Sequence, residues 1–276
     1  MDDTAPEPSA QSNMFADKAL AGQHAIVTGG SKGIGAACAA FLARMGANVS
    51  LIARSQSDLD ARAREISAEH GVQVASAAAD VSKAGDVAAS FESVQGELGP
   101  AQILVNNAGV GKSAPMHRMS LEFWEMTIGL NLTGTFLCTG QVYPAMREAG
   151  YGRIINISST VGLRGYPYIA AYSASKHGVV GFTRSLALEC ATKGVTVNAV
   201  CPGYTDTDLV AEAVDNIVEK TGQPADEVRA HLAGTSPIGR LITPDEVAET
   251  VAWLALPSSA AITGQSIVVS GGSVTN

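Results

Sequence analysis

The sequence predicts one α/β domain, a doubly wound parallel sheet of about seven strands with helices on both faces and a small lid after the sixth strand. Two observations predict it. Short β-rich runs alternate with longer helical stretches from residue 23 onward. The short runs are continuously apolar, which is the pattern of strands buried on both faces and therefore of a parallel sheet. No internal repeat or second linker breaks the alternation. One domain is expected over residues 21–276, behind a polar, flexible tail at 1–20.

The elements follow in order. The first run, 24–27, leads through a glycine-rich turn into an Ala-rich helical stretch at 34–45. The second, 48–52, precedes a charged helix at 57–69, and the third, 73–78, precedes one at 83–98. The fourth, 103–105, is followed by a long helical stretch at 121–146, apolar on more than one side. The fifth, 154–157, leads to a helix at 172–190 and then to the sixth run at 196–200. Two polar helices at 210–220 and 224–232 intervene before the last strand, Ser266–Val269. This is more chain than a plain crossover needs, and 204–240 is expected to be the lid.

Composition narrows the function classes. The chain is 46% hydrophobic with a net charge of -8 and no Lys/Arg cluster, which argues against a nucleic-acid partner. No apolar run reaches membrane-spanning length, so no membrane partner is expected. The acidic, Pro-bearing start is the opposite of a signal peptide, and a cytoplasmic location is expected. Cys38, Cys138, Cys190 and Cys201 lie far apart in apolar contexts and read as buried reduced thiols. His24, His70, His117, His177 and His231 have no ligand spacing, and no metal site is expected.

The turn after the first strand reads Thr28-Gly29-Gly30-Ser31-Lys32-Gly33-Ile34-Gly35. Between a first strand and a first helix, such glycines let the backbone approach a pyrophosphate, and the helix N-terminus offers free N–H groups. The second strand ends Ile52-Ala53-Arg54, without the carboxylate that holds a ribose 2′-hydroxyl. Arg54, with Lys32 in reach, instead suits a 2′-phosphate, so the cofactor expected is NADP(H).

Tyr172 and Lys176 are four apart and share a helix face. At about 4 Å and an effective dielectric near 20, the ammonium would favour phenolate by roughly 4 kcal/mol, lowering the tyrosine pKa by about 3 toward neutrality. Ser159, at the end of the fifth strand, could hold a substrate oxygen.

Together with Asn106-Asn107-Ala108-Gly109 after the fourth strand, these motifs stand in one order. The chain thus resembles the short-chain dehydrogenase/reductase family, of Rossmann type, over nearly its whole length beyond the tail. The resemblance implies that Gly29, Ser31, Gly33, Ile34 and Gly35 frame the pyrophosphate, and that Asp80 and Val81 hold adenine. Asn107, Ala108 and Gly109 would line the adenosine ribose. Pro202, Gly203, Thr205 and Thr207 would grip the nicotinamide carboxamide. It makes Asn131, Ser159, Tyr172 and Lys176 the catalytic set: Tyr172 as acid, Ser159 on the substrate oxygen, Lys176 on tyrosine and ribose, and Asn131 holding a water. One departure is Ser270 before Gly271-Gly272, where many relatives have Asp.

The segment 163–169 is expected to wall the substrate pocket, with Arg164, Tyr166 and Tyr204 as contacts. The stretches 172–189 and 196–202 look most like 3-ketoacyl (acyl-carrier-protein or CoA) reductases, polyketide ketoreductases and 3-hydroxybutyrate dehydrogenases. A 3-oxoacyl thioester is therefore the first substrate class. An aryl, cyclic or steroid ketone or alcohol is the second, and a non-catalytic nucleotide-sensing scaffold a third reading. The resemblance also implies a homotetramer, with a dimer as the alternative.

Overall fold

Strands that are apolar on both faces must be covered on both faces, and that requirement organises the chain. The computed structural model describes residues 18–275. Its strands are β1 (His24–Thr28), β2 (Asn48–Ala53), β3 (Val74–Ala78), β4 (Ile103–Asn106), β5 (Gly152–Ile157), β6 (Val195–Pro202) and β7 (Ser266–Val269). They form one seven-stranded sheet in the order β3-β2-β1-β4-β5-β6-β7, and every pair is parallel.

The helices are α1 (Gly33–Arg44), α2 (Gln56–His70), α3 (Ala84–Leu98), α4 (Leu121–Ile128), α5 (Gly134–Ala149), α6 (Ala170–Cys190), α7 (Asp208–Thr221), α8 (Ala225–Gly234) and α9 (Pro244–Ala255). Successive strand residues feed opposite cores. Val27, Val105 and Ile155 pack with Leu42, Val247 and Val251 of α1 and α9. Their chain neighbours Ile26, Leu104 and Ile154 pack with Phe91, Val142 and Leu186 of α3, α5 and α6. Each such side chain contributes about 1.5–3 kcal/mol on burial. Strand order reverses direction between β1 and β4, and the crevice at their carboxyl ends is where such a sheet takes its ligands.

Three expectations need adjusting. Of the tail expected at 1–20, residues 1–17 lie outside the described residues, but Leu20 is fully buried and its N–H donates to Met45 O at 2.8 Å. Its apolar side chain caps the α1 core, so the ordered chain starts earlier than composition suggests. The helix expected at 121–146 is broken by a π-helical turn at Gly129–Thr133, between α4 and α5. The segment expected as a lid does form two helices, α7 and α8, with a small core of their own around Val210, Val214, Val228 and Leu232. A parallel bridge between Thr205 and Ile242 closes its base.

All four cysteines are buried and free. His24 is 2% exposed and bridges strands: Nδ1–H donates to Gly99 O at 2.7 Å and Nε2 accepts from Ser50 Oγ at 2.7 Å. Burial lowers its pKa below the ordinary 6.5. Below that value the unfolded chain binds a proton that the folded chain refuses, so stability present above it is lost as pH falls. The slope from one proton is at most about 1.4 kcal/mol per pH unit. Urea midpoints at about pH 7.5 and about pH 5.5 should fall more for the wild type than for His24→Asn. Equal falls would remove His24 as the cause.

Candidate active site

The glycine turn is held from below by polar groups at the sheet's carboxyl edge. Thr28 Oγ1 accepts from Asn107 N at 3.0 Å and Ala108 N at 3.1 Å. Asn107 Nδ2 donates to Thr28 O at 3.0 Å and Gly29 O at 3.2 Å. A Cβ on Gly35 would lie 2.2 Å from Gly29 O, and Gly29 has φ +65, so both positions need glycine. Thr28 is a site residue that sequence reasoning passed over. Its signal was a hydroxyl at a strand end directly before the glycines.

α1 begins with Lys32 in extended conformation, no side-chain cap, and no acid in its first turn. α2, α4 and α9 are capped by Ser55, Ser120 and Thr243, whereas α3, α5, α6, α7 and α8 share the lack of a side-chain cap, so the glycine turn beside it is what distinguishes α1. The N–H groups at the start of α1 therefore point out beside a turn that glycine keeps open, a fit for an anion such as a pyrophosphate. A cleft of about 120 Å³ continues from the turn, lined by Gly29, Ala53, Arg54, Asp80, Val81, Ala108, Gly109 and others. Ala79 and Leu130 also line it and were not anticipated. Asp80 Oδ1 accepts from Ser82 Oγ at 2.7 Å and Ser82 N at 3.0 Å. The Ser82 hydroxyl bond holds its carboxyl below the usual range, with Lys83 and Arg54 adding to it. Lys32 Nζ lies 3.1 Å from Asp58 Oδ2, a competing anion on α2.

β5 and α6 bring the second group together. Ser159 follows β5, where its Oγ accepts from Val161 N at 3.2 Å and caps a short 3-10 turn. Lys176 is 5% exposed, and its Nζ donates to Ile157 O at 2.7 Å. The same Nζ is 5.8 Å from the Tyr172 ring centre. A Cβ on Gly109 would sit 2.9 Å from Asn131 Oδ1 and 3.7 Å from Lys176 Nζ, so these three converge beside the cleft that Gly109 lines.

The electrostatics correct the expectation for Tyr172. Burial raises its phenol pKa above 10; the hydrogen bond with Ser159 opposes this, and Tyr204 and Cys201 add to the rise. Burial also lowers the Lys176 amine to about 8. Both ionised forms lose water in the same pocket, and this outweighs the attraction argued from spacing alone.

Asn131 sits in the π-helical turn with both of its amide protons engaged. Its Oδ1 accepts from Val110 N at 2.8 Å, and its Nδ2 donates to Val110 O and to Ser175 Oγ, both at 3.0 Å. Thr205 Oγ1 donates to Gly203 O at 3.1 Å and Thr207 Oγ1 to Thr205 O at 3.2 Å, so both hydroxyls shape the loop after Pro202. Thr207 Cγ2 would lie 3.2 Å from a Cβ at Gly33, which brings this loop against the glycine turn. Arg164 Nε donates to Tyr166 Oη at 2.6 Å, and Tyr204 is 43% exposed near Tyr166 at the mouth. Tyr168, with φ 67, ties this rim to the loop after β4 by accepting from Ala114 N at 2.8 Å. Ser270 Oγ, at the expected departure, accepts from Val274 N at 3.4 Å.

The chain is similar to known proteins over most of its length. The short chain dehydrogenase family model matches residues 23–217, from the start of the sheet into α7. A putative ketoacyl reductase of Streptomyces coelicolor is 41% identical over 250 residues, covering 90% of this chain and 95% of that protein. An acetoacetyl-CoA reductase of Shinella zoogloeoides is 41% identical over 248 residues, covering 90% and 97%. The crystal structure of an actinorhodin polyketide ketoreductase variant with NADPH superposes with a TM-score of 0.88 at 40% identity, covering 93% of this chain and 98% of that one. The glycine turn, the Ser–Tyr–Lys cluster and the full-length matches agree: this chain belongs to the short-chain dehydrogenase family.

Proposed function

We propose that the protein is an NADP(H)-dependent oxidoreductase acting on a carbonyl or secondary alcohol, with a 3-oxoacyl thioester as its substrate. The observation that carries this reading is the grouping of Ser159, Tyr172 and Lys176 where β5 meets α6, with Lys176 next to Gly109, a residue lining the cleft that also holds Arg54. The names of the relatives support the substrate class.

The backbone N–H groups at Gly33, Ile34 and Gly35 bind the pyrophosphate. Arg54, with Lys32, holds the 2′-phosphate, and Asp80 and Val81 flank the adenine. Asn107, Ala108 and Gly109 line the ribose side, and the loop of Pro202, Gly203, Thr205 and Thr207 orients the carboxamide. When bound, the nicotinamide supplies or accepts the hydride.

The chain's own chemistry is proton handling. Tyr172, its phenol pKa raised by burial, keeps its proton at neutral pH and donates it from Oη to the oxygen of the reduced carbonyl. The Ser159 hydroxyl holds the same oxygen and stabilises its developing charge. Lys176 binds the ribose hydroxyls and resupplies the proton by way of a water held at Asn131. Tyr166 and Tyr204 wall the pocket, with Arg164 stacked on Tyr166. The helices α7 and α8 act as its lid.

One observation favours the second reading, an uncharged aryl, cyclic or steroid ketone. Both arginines of the lid are paired, Arg229 with Asp206 at 2.6 Å and Arg240 with Glu246 at 2.6 Å, which leaves neither for a carrier phosphate. The homotetramer is supported by exposed apolar side chains on α4–α6, among them Leu121 at 65%, Phe136 at 58% and Leu188 at 83%. The buried free thiols support a cytoplasmic location. Among the described residues no helix is long and apolar enough to cross a membrane.

NADPH oxidation with acetoacetyl-CoA should exceed that with a panel of aryl and cyclic ketones; the reverse order would transfer the assignment to the second class. Tyr172→Phe should lower kcat by about 10²–10⁴ with NADPH affinity retained. Retained turnover would remove Tyr172 as the acid. Arg54→Ala should weaken NADPH binding about tenfold or more, as for a lost charged hydrogen bond, and leave NADH unchanged. Equal changes in a fluorescence titration would exclude the phosphate contact.

A further inference from the structure

Beneath the proposed proton donor lies a chain of buried polar side chains that the chemistry above does not use. Asn106 and Asn156 are register partners on β4 and β5, 4% and 0% exposed. Asn106 Nδ2 donates to Asn156 Oδ1 at 2.8 Å and to Thr139 Oγ1 on α5 at 3.0 Å. Asn156 Nδ2 donates to Thr183 Oγ1 on α6 at 2.9 Å, and Thr183 Oγ1 donates to Val179 O at 2.8 Å.

The direction of this chain is set by chemistry. The Thr183 hydroxyl spends its one proton on Val179 O, so its oxygen must accept, and Asn156 must present its amide nitrogen. Asn156 then presents its oxygen to Asn106, which answers with nitrogen. Asn106 Oδ1 is left buried without a hydrogen-bond partner among the described residues. A buried network with one unmet acceptor is less favourable than apolar packing of the same shape. Stability alone therefore does not account for it.

Its position does. Three consecutive residues at the end of β5 hold α6. Asn156 holds Thr183, Ile157 O accepts from Lys176 Nζ at 2.7 Å, and Ser158 Oγ donates to Lys176 O at 3.1 Å. Thr183 is two helical turns beyond Lys176, so the deep contact sets the rotation and height of the helix that carries Tyr172 and Lys176. At the other end the π-helical turn is tied to α6 by Asn131 and Ser175, and α5 joins the same ladder through Thr139.

We propose that the Asn106–Asn156–Thr183 ladder, with its Thr139 branch, positions α6 so that Lys176 stays seated on Ile157 O and Tyr172 stays beside Ser159. The residues of the ladder are positioning residues, since none touches the cleft. The inference rests on the proposed role of Tyr172 and Lys176 but is read independently of substrate.

The test uses the full-length protein with Thr183→Val, which keeps the shape and removes the hydroxyl, and Thr183→Ser, which does the opposite. In the wild type, NMR titration of the Lys176 side chain without ligand should give a value of about 8. In Thr183→Val a loosened helix lets water reach the amine, so the value should move up toward the ordinary 10.5. Turnover should fall tenfold or more, with the pH profile displaced. Thr183→Ser should lose melting temperature with the missing methyl, yet keep the wild-type titration and turnover. If both variants keep the wild-type titration and differ only in melting temperature, the ladder is structural and the proposal is overturned. If Thr183→Val does not fold, Thr139→Val is read by the same two measurements. A normal Lys176 titration there overturns the proposal as well. A wild type inactive on every ketone would sink the functional reading and leave the titration result standing.

Discussion

The site depends on keeping an ammonium buried. Lys176 lies on the buried face of α6 with one hydrogen bond among the described residues, to the carbonyl of Ile157. The fall of its pKa from 10.5 to about 8 corresponds to a net penalty of roughly 3 kcal/mol on the charged form. A carbonyl acceptor offsets about 1.5–3 kcal/mol of desolvation and no more. The protein sustains this because α6 is held from both sides, by β5 beneath and by Asn131 through Ser175 beside it. A lysine poised near neutrality can exchange a proton there, which one at its ordinary value does far less readily.

The same dryness decides the state of Tyr172. Proximity to a cation and removal from water act on a phenol in opposite directions, and in the protein by itself removal from water wins. In the proposed role of Tyr172 as donor, it is thus loaded with its proton at neutral pH, the state that reduction requires. Oxidation needs the phenolate, which becomes accessible as water or ligand groups restore polarity around the pair. The two directions of one hydride reaction therefore ask for different hydration of one pocket.

Much of this was legible in the sequence because the signals are local. A strand buried on both faces writes a continuous apolar run, and all seven were readable to within a few residues. Tyr172 and Lys176 needed only helical spacing, and the glycine turn only its place between a strand and a helix. What stayed hidden depends on distant partners. The π-helical turn at Gly129–Thr133 looks helical in pattern; the turn places Asn131, whose bonds reach Val110 and Ser175, 21 and 44 positions away. The ladder from Asn106 to Thr183 spans separations of 50 and 27 residues through residues that read singly as strand and helix interior. The pKa of Tyr172 was misjudged because spacing conveys charge but not burial. Leu20 reads as tail because the run Ala19-Leu20-Ala21 is too short to carry a period.

The two cations assigned to the 2′-phosphate are not equivalent. Lys32 is engaged with Asp58, an acid in the first turn of α2 that also favours the positive end of that helix. The pair is exposed, 61% and 39%, and an exposed pair of this kind contributes about 0–1 kcal/mol. A dianionic phosphate would draw the lysine away at little expense, yet Asp58 would remain nearby and repel it. Arg54 lines the cleft directly and presents a planar fork that matches phosphate oxygens. On the proposed reading, discrimination between the two nicotinamide cofactors rests on Arg54, with Lys32 and Asp58 largely cancelling each other.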